Sequence, residues 1–311
     1  MSDRDITPLD ARELAALLVP EDRKALQVVD RYRLEGVTSA ATPAFEEAFG
    51  ALSGEFATRG EIERRDVVER WLSGKARCEL PWRYHLLRAR DEAGALAGAR
   101  DCHVTLDVAR RLCVVYLAHT LVLPAHRRSG LATLFRRAPL LLGRRMAEEH
   151  GLDPAETDIL LAAEMEPYDR SAPETGVRLV AYGRGGFAAV SPRALPYCQP
   201  DFREPDVIAA GGGARPLPLL AVVRRPGHER EGALPRSVAE AFVTHLYAVF
   251  ATHCDPAQLA RPRAHALQAL AEAETEAPLL PLPISVEDEI RLTPLSRDAV
   301  LPFHLPEVRS A

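Results

Sequence analysis

The sequence predicts an α/β chain of the α+β kind: a mixed, mostly antiparallel central sheet flanked by helices, with a C-terminal helical extension. Three observations lead there. Three strand-like runs follow one another between 84 and 123 with turn residues between them, helix-period stretches lie on both sides of that block, and two long amphipathic patterns occupy 235–273.

Taken in order, a polar N-terminal segment (1–24) precedes Ala25 to Leu34, whose β-branched and aromatic content reads as a first strand. From Pro43 to Thr58, Phe45, Phe49, Leu52 and Phe56 recur at helical spacing behind Thr42-Pro43, a suitable cap and first turn; a second helix is expected over Glu61 to Leu72. Tyr84 to Arg90, Ala95 to Leu106 and Leu112 to Leu123 form the expected meander, the last being apolar enough for a central strand. Ser129 to His150 is helical in period, with a kink or interruption expected at Pro139. Asp158 to Met165 reads as a strand, Ala172 to Tyr182 as a helix and Gly186 to Val190 as a strand. The Pro- and Gly-punctuated stretch Cys198 to Arg215 reads as loop, and Leu217 to Arg224 as a strand. Pro235 to His253 and Pro256 to Ala273 are expected helices, followed by an irregular arm. The expected organisation is a segment 1–24, a domain 25–230 and an extension 231–311 packed on it.

Composition narrows the function. The 311 residues are 47% hydrophobic and 27% charged, values of an ordinary globular chain. A net charge of -5 removes any general attraction to nucleic acid or an anionic membrane, so neither is expected as a partner. No apolar run suits a bilayer span and the first residues lack a signal-peptide pattern, so the expected location is cytoplasmic. Five scattered cysteines without a CxxC pair point to neither a disulfide framework nor a zinc site, and no metal is expected. Only Lys24 and Lys75 of the 39 basic residues are lysine, a bias attributed to a GC-rich genome.

The sharpest feature is Leu121-Val122-Leu123-Pro124-Ala125-His126-Arg127-Arg128-Ser129-Gly130-Leu131-Ala132, a strand that turns directly into a helix. The first amides of a helix lack intrahelical partners and the macrodipole is positive there, so a phosphate can accept several bonds at once. Gly130 permits close approach to the backbone, Ala132 keeps the next position small, and Arg127 and Arg128 add positive charge.

Arg127-x-x-Gly130-x-Ala132 resembles the acyl-coenzyme A signature of the GNAT superfamily of N-acetyltransferases, and Tyr182-Gly183-Arg184-Gly185-Gly186-Phe187 resembles that family's second marker, Tyr-x-x-x-Gly-Phe. The resemblance spans about 25 to 225. It implies a GNAT-type sheet whose strands splay at the acyl-CoA site, and binding of acetyl-CoA. The pyrophosphate would lie on Arg127, Arg128, Ser129, Gly130, Leu131, Ala132 and Thr133, and the pantetheine arm along the backbone of Leu121, Val122 and Leu123.

Acetyl transfer to an amine needs a base for the nitrogen and a proton donor for the sulfur. The resemblance puts Tyr182 at the general-acid position. Where many relatives carry a glutamate base this chain has Ala118, so Glu164 or Glu166, at the end of the next expected strand, is the candidate base. His103 and His119 read as core or cleft histidines, His119 being kept in reserve for its nearness to the signature; His245 and His253 are expected to pack in the tail. The acceptor, an amine of a small molecule or peptide, would be set by side chains of the first helices, the loop near Gly211 to Gly213 and the tail. A cationic amine suits the acidic chain, and a homodimer is compatible with the tail helices. The alternative is a catalytically inactive acyl-CoA-binding sensor or assembly module.

Overall fold

The computed structural model describes residues 6–17, 27–57, 61–203, 205–273 and 276–304. The chain divides into two compact units, Met1–Ile159 and Leu160–Ala311.

In the first unit, β1 (Ile6–Pro8), β2 (Arg33–Val37), β3 (Trp82–Arg90) and β4 (Leu96–Asp107) pair in that order, all antiparallel. The N-terminal segment thus carries a strand and a short helix, α1 (Ala11–Ala16), that its polarity hid. The expected first strand moves along the chain: Val29–Arg31 is a 3-10 turn and the strand begins at Arg33; residues 25–26 lie outside the described set. The later register buries Glu35, which a sequence reading avoids. Arg88 compensates it at 2.7 Å, and Arg88 also bonds Glu47 at 2.6 Å.

The two expected helices are α2 (Pro43–Phe56) and α3 (Arg65–Leu72). Thr42 caps α2 by accepting from the Phe45 amide at 3.1 Å, and Pro43 takes the first turn, where a missing N–H costs nothing. Phe45, Ala48, Phe49 and Leu52 then fall on one buried face, and Val67, Val68 and Trp71 do the same for α3. Both helices cover one side of the sheet at Tyr84, Leu86 and Ala99.

The expected strand Leu112 to Leu123 is two strands, β5 (Leu112–Tyr116) and β6 (Thr120–Val122), both laddered to β4. The first ladder ends at His103↔Tyr116 and the second resumes at Arg100↔Thr120. Three steps along β4, from 103 to 100, thus oppose four on its partner, from 116 to 120. One extra residue is housed over Leu117 to His119: a β-bulge, which bends the strand and re-aims the residues after it. Because of it, Leu121 joins the α2/α3 core.

The other side of the sheet is covered by α4 (Leu131–Glu149). Gly98 permits the contact, since a Cβ there would meet the Leu121 carbonyl oxygen at 2.4 Å and Phe135 Cε2 at 2.9 Å. The helix runs through Pro139 without the expected interruption. Pro139 has no N–H for the Phe135 carbonyl, four residues back, and Arg100 Nη1 donates to that oxygen at 2.8 Å instead. Arg100 is fully buried, and its Nε and Nη2 have no hydrogen-bond partner among the described residues.

The boundary falls inside β7 (Asp158–Met165), a strand on the expected bounds, and α5 (Pro173–Gly183) follows in the second unit. Its sheet order is β7, β11 (Leu220–Arg224), β8 (Ala188–Val190), β13 (Glu276–Pro281) and β12 (Ala233–Pro235), every ladder antiparallel. The stretch read as loop contains a two-residue strand β9 (Cys198–Gln199) paired with β10 (Leu217–Pro218), and α6 (Pro205–Ala210). The tail has the expected α7 (Arg236–Phe250) and α8 (Pro256–Glu272). Its final segment is not an irregular arm at first, because β13 ladders onto β8. Prolines 278 and 281 obscured that strand. No described helix is long and apolar enough to cross a membrane.

Candidate active site

Leu123 leaves β6 into a 3-10 turn, Pro124–His126, closed by the His126 amide on Leu123 O at 2.9 Å. Arg128 then adopts φ +63 and Gly130 φ +103, two left-handed residues that reverse the chain into α4. Gly130 is the N-cap and brings no capping side chain. Ser129 Oγ donates to His126 O at 2.7 Å and lies 3.3 Å from the Leu131 amide, a weak local cap. Among the described residues the amides of Ser129, Gly130 and Ala132 take no hydrogen bond, so the turn is open at its centre. Arg127 and Arg128 are exposed. Arg127 Nε rests on the Val122 carbonyl at 3.2 Å, and Thr133 Oγ1 accepts from Arg136 at 2.9 Å.

Leu121 is buried, whereas Val122 and Leu123 are half-buried. Within its unit β6 ladders to β4 alone, so its second edge carries backbone groups with no strand partner there. The Leu131 side chain is fully buried, fixing the start of α4 while its amide faces the turn.

The three candidate catalytic residues all belong to the second unit. Glu164 and Glu166 stand two residues apart near the end of β7, on one face. Glu164 Oε1 accepts from Tyr197 Oη and Oε2 from Gln199 Nε2 at 2.8 Å, so both oxygens are held. Glu166 is bound by Arg178 of α5. Tyr182, four residues beyond Arg178, is on the same helix face; it is half-buried, and its ring meets Phe187 edge-on at 5.0 Å. The glycines between them serve packing. A Cβ on Gly183 would meet the Pro283 carbonyl oxygen at 2.1 Å, and Gly186 has φ +78.

A further group of buried polar residues lies behind β6. His119, in the bulge, bonds Asp101 three ways: its amide donates to Oδ1 at 2.7 Å, its Nδ1 lies 3.0 Å from Oδ1, and its carbonyl accepts from the Asp101 amide at 3.2 Å. Its Nε2 lies 2.7 Å from the Glu61 carbonyl oxygen. Tyr84 Oη donates to Asp101 Oδ2 at 3.0 Å, and Glu63 completes a buried group whose ligating atoms lie within 4.8 Å of one another. Burial opposes charge on His119, but the Asp101 carboxylate, with Glu63 and the Glu61 carbonyl, outweighs it and pushes its pKa up to about 10. Burial likewise opposes charge on Asp101, and the His119 cation and hydrogen bonds hold it below the usual carboxylate range. Both nitrogens of an imidazolium therefore donate here. Sequence reasoning placed His119 near the signature and missed Asp101, Tyr197 and Gln199. The signal for Asp101 was the run Arg100-Asp101-Cys102-His103, polar on both faces of a strand that should be central.

No family model matches the chain, and no curated protein does. Solved structures do. A protein of Klebsiella pneumoniae subsp. pneumoniae MGH 78578, assigned as an acyl-CoA N-acyltransferase, is 12% identical with a TM-score of 0.34 over 62% of this chain and 97% of its own. Spermidine N-acetyltransferase from Vibrio cholerae, in complex with CoA and spermine, is 12% identical at 0.28, covering 73% and 97%. Nourseothricin acetyltransferase is 23% identical at 0.24, covering 46% and 65%. All three are acyl-transferring enzymes by name, at identities below 25% and TM-scores below 0.5.

Proposed function

We propose that the protein is an N-acetyltransferase of the GNAT type, transferring acetyl from acetyl-CoA to a primary amine by direct attack. The observation that carries this reading is the turn at Gly130: three amides without partners, a positive φ that brings backbone to the surface, and two exposed arginines. The pyrophosphate would accept from Ser129, Gly130, Leu131 and Ala132, with Arg127, Arg128 and Thr133 at its rim. The pantetheine arm would pair with the free edge of β6 at Leu121 to Leu123.

In the reaction the amine nitrogen bonds to the thioester carbon and the carbon–sulfur bond breaks. Glu164 or Glu166 takes the proton lost by nitrogen, and Tyr182 donates its phenolic proton to the thiolate. Burial pushes the thiols of Cys102 and Cys113 up to about 12 and also raises that of Cys78, so none of these three is an effective nucleophile for an acyl-cysteine route.

Calorimetric titration and thermal shift with acetyl-CoA test the reading. At a hundredfold excess over Kd, bound ligand stabilises the fold by about 2.7 kcal/mol. Gly130→Glu, which sets a carboxylate in a left-handed position against the phosphates, should abolish the shift; no shift with the unaltered protein sinks the proposal. A second reading, an acyl-CoA-binding module without turnover, is favoured by Ala118 and by the hydrogen-bonded state of both glutamates. Coenzyme binding without thiol release across an amine panel would select it.

A further inference from the structure

His119 adjoins the strand proposed to hold the coenzyme and also contacts the residues just before α3. On one side it is the last residue of the bulge, immediately before β6, and three bonds to Asp101 fix it there. On the other its Nε2 reaches the Glu61 carbonyl, 58 residues away in sequence, at 2.7 Å. Glu61 precedes Glu63, itself buried beside Asp101, and Arg64, the N-cap of α3. The ring packs on Phe56 of α2, centroids 5.0 Å apart.

We infer that His119 is a positioning residue that couples the coenzyme strand to the backbone of residues 61–64, so that coenzyme binding on β6 orders the start of α3. This rests on the proposed coenzyme site and deepens it. β6 is laddered to β4 on one side, and coenzyme would supply the partner on its other edge. The bulge is the end of β6 that is pinned, so ordering of β6 reaches Glu61 through the imidazolium, one N–H of which faces each side. Since α2 and α3 are where acceptor-facing side chains are expected, the coupling would raise acceptor affinity when coenzyme is bound, and coenzyme affinity when acceptor is bound.

The two ring contacts can be separated chemically. His119→Asn keeps an amide near the Nδ1 position, and so the Asp101 contact, but cannot reach Glu61. His119→Gln places an amide near the Nε2 position and keeps the Glu61 contact. The experiment is amide hydrogen exchange of the full chain with and without CoA. In the unaltered protein, CoA should slow exchange at 121–133 and, by about fivefold or more, at 61–64. His119→Asn should keep the first effect and lose the second; His119→Gln should restore it. Protection at 121–133 without any at 61–64 in the unaltered protein overturns the inference with no variant needed, and equal protection at 61–64 in His119→Asn overturns it as well. Absence of protection at 121–133 would instead remove the coenzyme reading.

Discussion

Asp101 and His119 place two opposite charges in the interior at 3.0 Å, and the cost of burying each is offset by the other. This pairing sets the sign of the pH dependence. His119 is raised in the folded state, so its contribution is fully present below about 6.5 and is lost as pH rises through about 10. Asp101 is lowered, so its contribution is present above the unfolded carboxylate's value and is lost as pH falls through the folded one. Tyr84, raised by burial and by Asp101, adds a loss above its ordinary 10. The melting temperature should therefore decline between pH 7 and 10, and in Asp101→Asn the part of that decline due to His119 should disappear; an unchanged slope in the variant would contradict the pairing. Tyr182→Phe is the matching test of chemistry. It should lower kcat by about tenfold to a hundredfold with acetyl-CoA affinity unchanged, in single-turnover and binding measurements.

At the scale of elements, the long helices were legible because their apolar stripes repeat over several turns, and Thr42-Pro43 marks one start in plain residue types; the six-residue α1 and α6 are too short to show such a stripe. Boundaries of strands were less so. A bulge has no residue signature, so Leu112 to Leu123 reads as one apolar run, although the register changes by one between Tyr116 and Thr120. Strand β13 carries Pro278 and Pro281, which argue for loop, and its place in the sheet is decided by partners far away in sequence. Tight packing is equally invisible until the partner is known. Gly98→Ala should destabilise the first unit by about 2 kcal/mol or more, read by urea unfolding, since the added methyl would overlap the Leu121 carbonyl and Phe135. A neutral result would mean that β6 and α4 yield without cost.

For the whole chain, the proposed machinery is divided between the two units: the coenzyme turn at 121–133 in the first, Glu164, Glu166 and Tyr182 in the second. The open turn at Gly130 could be anticipated because such a turn needs few residues in strict order. What holds each glutamate could not. A carboxylate's role depends on what holds it, and Tyr197 and Gln199 come from a stretch whose residues advertise only irregularity. The division makes binding and turnover separable. Glu164→Gln should leave coenzyme affinity within about twofold while reducing turnover, whereas Gly130→Glu should remove both. Loss of coenzyme binding in Glu164→Gln would speak against that separation.

Pro139 gives the helix bearing that turn an unusual dependence. A carbonyl deprived of its own helical amide is satisfied from another layer of the protein, by an arginine that would otherwise have no reason to lie there. The two positions should then change together over evolutionary time: a chain with an amide at 139 is released from needing the cation at 100, and one that keeps Pro139 but loses the cation leaves the Phe135 carbonyl buried without a donor.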